Sequence, residues 1–162
     1  MTDHKDFFSA AAALGAVKQL DVDAMKLLFR VERSGEDFYN GVADRIGDDR
    51  AADLLRKNGR EERGHAERMR RAIGVKLGHP WEPTPEDLER YSVPLPDAIS
   101  APLLNLMVQA EFDGDAGYQH WADREPDPEV QRLLRQNGKE ETVHGQRVTE
   151  VIAILGGTTS GS

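Results

Sequence analysis

One stretch of this chain recurs 79 residues later without a gap, and each copy sets charged residues inside an apolar helical stripe. The offset places Glu32 on Glu111, Tyr39 on Tyr118, Ala43-Asp44-Arg45 on Ala122-Asp123-Arg124 and Leu54-Leu55-Arg56 on Leu133-Leu134-Arg135. It also places Asn58-Gly59 on Asn137-Gly138, Glu61-Glu62 on Glu140-Glu141 and His65 on His144. From Glu32 to Arg68, 16 of 37 positions are identical, where ordinary composition would match about two. Two copies of so long a period do not make a solenoid. They suit two helical hairpins related by a pseudo-twofold axis.

Apolar residues at spacings of three and four predict four long helices, over roughly Asp23 to Ile46, Asp48 to Gly74, Asp97 to Arg124 and Pro128 to Leu155. The first stripe reads Met25, Leu28, Phe29, Glu32, Gly35, Tyr39, Val42, and the second Leu54, Leu55, Asn58, Glu62, His65, Ala66, Met69. In the third and fourth, Glu111 and then Glu141 and His144 interrupt the same kind of series. Gly47-Asp48-Asp49 and Pro126-Asp127-Pro128 end one helix and supply an Asp N-cap for the next, with turns short enough to make each pair antiparallel. Gly47 is midway between Glu32 and Glu62, and Pro126 midway between Glu111 and Glu141. Each glutamate is therefore about 22 Å from its turn, at the height of its mate. Residues 78–96 hold five prolines, with one helical turn expected around Glu86 to Tyr91. A helix of about 27 residues spans about 40 Å, a distance that about 20 residues of linker can cross. The expected fold is an all-α four-helix bundle in one domain: hairpin 1 over about 23–76, a long crossover over about 77–97, hairpin 2 over about 98–155 and a flexible tail over 156–162.

Four carboxylates and two imidazoles facing inward from such a bundle suit a two-metal site, with candidate ligands Glu32, Glu62, His65, Glu111, Glu141 and His144. The i, i+3 spacing of Glu62 with His65, and of Glu141 with His144, sets a carboxylate beside an imidazole on one helical face. Four ionised glutamates would balance two divalent cations, whereas the empty site would hold repelling carboxylates with raised pKa values. Carboxylate with imidazole favours iron, manganese or zinc. Tyr39 and Tyr118, two turns beyond Glu32 and Glu111, can reach a ligand carboxylate of the facing hairpin. Asn58 and Asn137 can orient ligands or satisfy one another, and Gly35 and Gly114 favour close helix packing. Glu61 and Glu140 lie about 100° around the helix from the ligands and are expected in solvent. His4, His79 and His120 look ordinary.

The absence of cysteine excludes disulfides, thiolate sites and iron-sulfur clusters. A net charge of -8 with no basic stripe argues against nucleic acid. No apolar run is long enough to span a membrane, and Asp3 and Asp6 precede the apolar Phe7 to Val17 where a signal peptide needs positive charge, so a cytoplasmic protein is expected. Phe7, Phe8, Leu14 and Val17, with Val151, Ile152, Ile154 and Leu155, are expected to pack together as an extra short helix or to form a dimer contact, with a homodimer or larger homo-oligomer favoured.

Over Met25 to Leu155 the chain resembles the ferritin-like di-iron carboxylate proteins, and most closely their rubrerythrin-like branch, through Glu32, Glu62-x-x-His65, Glu111 and Glu141-x-x-His144. The resemblance implies terminal ligands at Glu32 and Glu111, bridging ligands at Glu62 and Glu141, and one histidine on each of two irons. It implies a di-iron oxidoreductase that reacts ferrous iron with hydrogen peroxide or dioxygen, with Glu62, Glu141, Tyr39 and Tyr118 as its catalytic candidates. Two features depart from that branch. Val108 occupies the place of an additional glutamate, and no cysteine-rich domain delivers electrons, so a peroxidase would need an external donor. A ferroxidase, an iron-storage protein and a structural metal-bound bundle are the alternatives.

Overall fold

The computed structural model describes residues 4–159, which contain six helices and no strand. They are α1 (Phe7–Gly15), α2 (Val22–Arg45), α3 (Asp49–Leu77), α4 (Pro85–Leu88), α5 (Ala101–Arg124) and α6 (Pro128–Thr159). α2 packs on α3, α5 on α6, and α3 on α6, while α1 lies against α2. No helix among these residues is long and apolar enough to cross a membrane.

Local chemistry accounts for the helix starts. Asp6, Asp21, Asp48 and Ser100 each accept a backbone N–H three residues on, which satisfies a donor that the helix itself leaves unpaired. Asp127 does the same for α6 through the amides of Glu129 and Val130. Between α2 and α3 the chain reverses at Gly47, where φ is +76°. The sequence ends the second helix at Gly74, but α3 continues to Leu77 and terminates at Gly78, whose φ of +80° gives the left-handed C-cap. Gly74 has a different use, since a Cβ there would press on the His79 carbonyl at 3.3 Å as the chain folds back. α5 begins at Ala101 rather than near Asp97, because Ser100 caps it and Pro102 sits in its first turn.

Residues 156–159 continue α6 where a flexible tail is expected, each further residue adding a hydrogen bond to a helix already nucleated and packed. The rest of that tail, 160–162, lies outside the described residues. The N-terminal apolar stretch forms the expected short helix: α1 lays Phe7 on Phe38 with ring centroids 5.4 Å apart. The segment joining α3 to α5 is pinned to α2. Trp81 meets Phe29 edge-on at 5.1 Å, the Arg30 guanidinium lies 4.0 Å over Tyr91, and the Tyr91 amide donates to Ser34 Oγ at 2.9 Å.

The core is in two parts. One gathers Met25 and Phe29 of α2, Met69 and Ile73 of α3, Trp121 of α5 and Leu133 and Leu134 of α6. The other gathers Phe38 and Val42 of α2, Leu55 of α3, Leu104 and Met107 of α5, and Val148 and Val151 of α6. Each fully buried Leu, Phe or Met in them stabilises the fold by about 1.5–3 kcal/mol. In every long helix the glutamate or Glu-x-x-His lies in sequence between its contributions to the two clusters, so a charged belt separates two apolar cores.

Candidate metal centre

Glu32, Glu62, His65, Glu111, Glu141 and His144 converge in that belt, all at least nine-tenths buried. Their donor atoms form two overlapping groups, Glu32, Glu62, His65 and Glu141 in one and Glu62, Glu111, Glu141 and His144 in the other, with the atoms of each group within 4.8 Å of one another. Glu62 and Glu141 belong to both. This buried glutamate and histidine cluster could hold a metal ion.

Both histidines turn Nδ1 toward the carboxylates. His65 Nδ1 lies 2.8 Å from Glu141 Oε1, 3.3 Å from Glu32 Oε2 and 3.8 Å from Glu62 Oε2. His144 Nδ1 lies 3.0 Å from Glu62 Oε1 and 3.7 Å from both Glu111 Oε2 and Glu141 Oε1. The two rings stack at 5.1 Å and 14°. Gly35 and Gly114 make room for the shared carboxylates: a Cβ on Gly35 would come within 3.1 Å of Glu62 Oε2, and one on Gly114 within 2.9 Å of Glu141 Oε2. Their close packing is helix against carboxylate.

The tyrosines act across the hairpins. Tyr39 donates to Glu111 Oε1 at 2.5 Å, and Tyr118 to Glu32 Oε1 at 2.7 Å. Asn58 and Asn137 do not satisfy each other; Asn58 donates to the His144 carbonyl at 3.1 Å and Asn137 to the His65 carbonyl at 3.2 Å.

Glu61 and Glu140 correct the sequence reading. Rather than pointing into solvent, Glu140 Oε1 lies 3.1 Å from His65 Nε2, and Glu61 Oε1 lies 3.2 Å from His144 Nε2. Arg68 and Arg147 clamp these carboxylates at 2.9 Å and 2.8 Å and also donate to Asn137 and Asn58. A turn of 100° away from the ligands leads here into the α3 and α6 contact instead of water. The signal was present in the repeat, since Glu61, Arg68 and their mates are identical polar residues within two turns of a ligand.

The electrostatics are those of a site short of positive charge. Burial and the neighbouring carboxylates Glu141 and Glu32 push Glu62 well above the ordinary range, and burial with Glu111 and Glu32 does the same to Glu141. Burial also opposes charge on Glu32, but close polar contacts with Glu62 and His65 outweigh it and bring its pKa to about 2. Burial disfavours the His65 cation, yet the hydrogen bond to Glu140 and the facing carboxylates of Glu141 and Glu32 raise its pKa well above the usual value. Glu140 is held at about 2, chiefly by its bond to His65. Burial and then the Glu111 charge raise the Tyr39 phenol, and burial and then Glu32 raise that of Tyr118, so both keep their protons.

Four buried atoms have no partner in hydrogen-bonding geometry among the described residues: Glu32 Oε2, His65 Nδ1, Glu111 Oε2 and Glu141 Oε1, although His65 Nδ1 and Glu141 Oε1 lie 2.8 Å apart. All belong to the cluster, and orphaned buried polar atoms are costly and rare. Hard carboxylate oxygens with borderline imidazole nitrogens fit iron, manganese or zinc. No protein-family model matches this chain, and neither a curated protein nor a solved structure does.

Proposed function

We propose that the chain is a ferritin-like two-metal carboxylate protein, of the rubrerythrin-like kind, that reacts ferrous iron with hydrogen peroxide or dioxygen. The observation that carries this reading is the sharing of Glu62 and Glu141 between two ligand groups, each completed by its own histidine and its own glutamate. Two cations side by side need that pattern; a single structural ion would need neither shared carboxylate. Glu62 and Glu141 would bridge, Glu32 and His65 would complete one position, and Glu111 and His144 the other. The fold reading is a four-helix bundle of α2, α3, α5 and α6 with one long crossover between α3 and α5. It rests on the apolar clusters, in which the first half of α2 meets the second half of α5, and likewise α6 meets α3, so that both pairs run in opposite directions.

Each part of the chain has a defined task. Tyr39 and Tyr118 fix one oxygen of Glu111 and Glu32 and leave the other aimed inward. Glu140 and Glu61 hold Nε2 of His65 and His144, which leaves Nδ1 free as the donor atom and makes the imidazole more basic. The apolar clusters shield the belt on two sides. Bound there, two ferrous ions would supply two electrons, which with two protons reduce hydrogen peroxide to two waters. Having no cysteine, the chain takes its reducing equivalents from an external donor if it turns over. The two halves offer the same ligand set, and this symmetry, with Val108 where a rubrerythrin carries a further glutamate, favours ferroxidase as the second reading.

An anaerobic ferrous titration followed by separate stopped-flow mixing with peroxide and dioxygen tests both. Two irons per chain and faster oxidation by peroxide are expected; equal or faster oxidation by dioxygen moves the assignment to ferroxidase. Failure to bind a pair of ions defeats it.

A further inference from the structure

The repeat breaks where space is decided. At the 79-residue offset Phe38 corresponds to Gly117, and Val31 to Ala110. Phe38 is engaged by α1, stacked on Phe7 at 5.4 Å and edge-on to Phe8 at 5.7 Å. At Gly117 a Cβ would meet no atom within 4 Å. Between α2 and α5, beside α1, lies a cavity of about 970 Å³, partly open to solvent, that both Gly117 and Ala110 line. That is the upper end of the roughly 300–1,000 Å³ of small-molecule sites, and far more than peroxide, dioxygen or a metal ion requires.

The inner wall of this cavity is the charged belt itself, with Glu32, Glu62, Glu111 and Glu141 exposed to it. The buried, unpartnered oxygens of Glu32, Glu111 and Glu141 are on these same side chains. Most of the remaining wall is apolar. Its basic side chains are Lys18, His120 and Arg124, and Arg124 Nη1 donates to the backbone carbonyl of Lys18 at 3.2 Å, which sets that guanidinium beside residue 18 at one end. Asp113, an acid outside the belt, is engaged by Gln109 Nε2 at 2.9 Å. Along α5, Arg124 is about 20 Å from Glu111.

We infer that this cavity binds an elongated apolar organic acid, its carboxylate at Lys18 and Arg124 and its hydrocarbon body lying along Gly117 toward Glu111. The hydrocarbon leaves water for an apolar wall, while the acid end stays beside the cations at the exposed end, where its charge need not be buried. Binding stands on the cavity alone; only the claim that the bound body lies beside a pair of metals rests on the two-metal reading.

The whole protein, metal-free and loaded with manganese(II), is titrated with cis-parinaric acid, a fluorescent fatty acid. Saturable binding at one site is expected, with a Kd on the order of micromolar. Gly117→Phe, which restores the aromatic of the other repeat, should weaken it by at least about tenfold and leave metal stoichiometry unchanged. Ala110→Phe gives the same test if the first variant does not fold, circular dichroism being the check. A Lys18→Glu, Arg124→Glu double variant should lose displacement of the probe by dodecanoic acid about tenfold and keep displacement by dodecan-1-ol. No saturable binding to the wild type, or undiminished binding to the folded cavity variants, overturns the site, and equal losses for acid and alcohol overturn the placement of the acid end. Metal uptake without acid binding sinks this inference and leaves the metal centre standing; acid binding without metal uptake does the reverse.

Discussion

The two hairpins carry the same ligands at the same spacing, yet they are dressed differently. The first is covered: α1 stacks on Phe38, and the segment after α3 is bonded along α2 through Arg30, Ser34 and Arg90. The second leaves Leu106 two-thirds exposed and Gly117 facing open space. Residues toward the belt are constrained by charge and by their partners in the other hairpin, so they stay alike; those on the outer face answer only to what covers them. The difference separates what the centre needs from what its surroundings add.

The sharpest way to break the comparison is at the shared carboxylates. Glu62→Ala or Glu141→Ala should each abolish paired metal binding, whereas Glu32→Ala or Glu111→Ala should weaken one ion and spare the other; calorimetric titration with manganese(II) separates the outcomes, and unchanged stoichiometry in the first pair would remove the bridging roles.

Next comes pH. In the metal-free protein Glu62, Glu141 and His65 all have folded pKa values above their unfolded ones of 4.5, 4.5 and 6.5. Stability from these groups is therefore fully present below the unfolded pKa and is lost as pH rises through the folded one. Each group can contribute a slope of up to about 1.4 kcal/mol per pH unit within its window. Glu140, held at about 2, works the other way, giving stability above 4.5 that is lost as pH falls toward 2. Melting temperatures of chelated protein should fall as pH rises above about 5, and saturating divalent cation should flatten that fall.

Outside the belt, Phe38→Ala should cost about 3–5 kcal/mol in urea unfolding through loss of the α1 contact. Tyr39→Phe and Tyr118→Phe should each cost about 1.5–3 kcal/mol, as hydrogen bonds to charged groups do. The second should cost more, since Tyr118 also accepts from Asn137 at 3.3 Å. The smallest change is expected at the mate of Phe38: Gly117→Ala should stabilise by about 0.4–1 kcal/mol, because its Cβ meets nothing and the unfolded chain loses freedom. A destabilised Gly117→Ala protein would show that the outer faces are not independent of the belt.

Much of this was legible in the sequence because helical period and caps are local. Glu32 falls in the apolar stripe of α2 and Glu62 and His65 in that of α3, and the Asp48 and Asp127 caps fix the turns that bring mates to equal height. The tyrosine bonds followed too, since a residue two turns from a ligand on the same face has only the opposite hairpin to reach. What period does not supply is the neighbour of a flank. Glu61 and Glu140 were placed correctly around their helices, but whether that direction met water or another helix depended on how closely α3 and α6 pack. The cavity was hidden for the same reason. A Phe aligned with a Gly reads as ordinary drift until α1 is seen to cover one and not the other.

Among the described residues, each hydrogen bond that a side chain outside the candidate ligand set makes to the side chain of one of those ligands crosses between hairpins: Tyr39 to Glu111, Tyr118 to Glu32, Glu140 to His65 and Glu61 to His144. Residues 22–77 by themselves would hold half a coordination sphere with nothing to steady it. Two identical copies of such a segment, meeting in opposite senses, would steady each other at once, which makes a self-associating ancestor of half this length a sufficient origin for the whole chain.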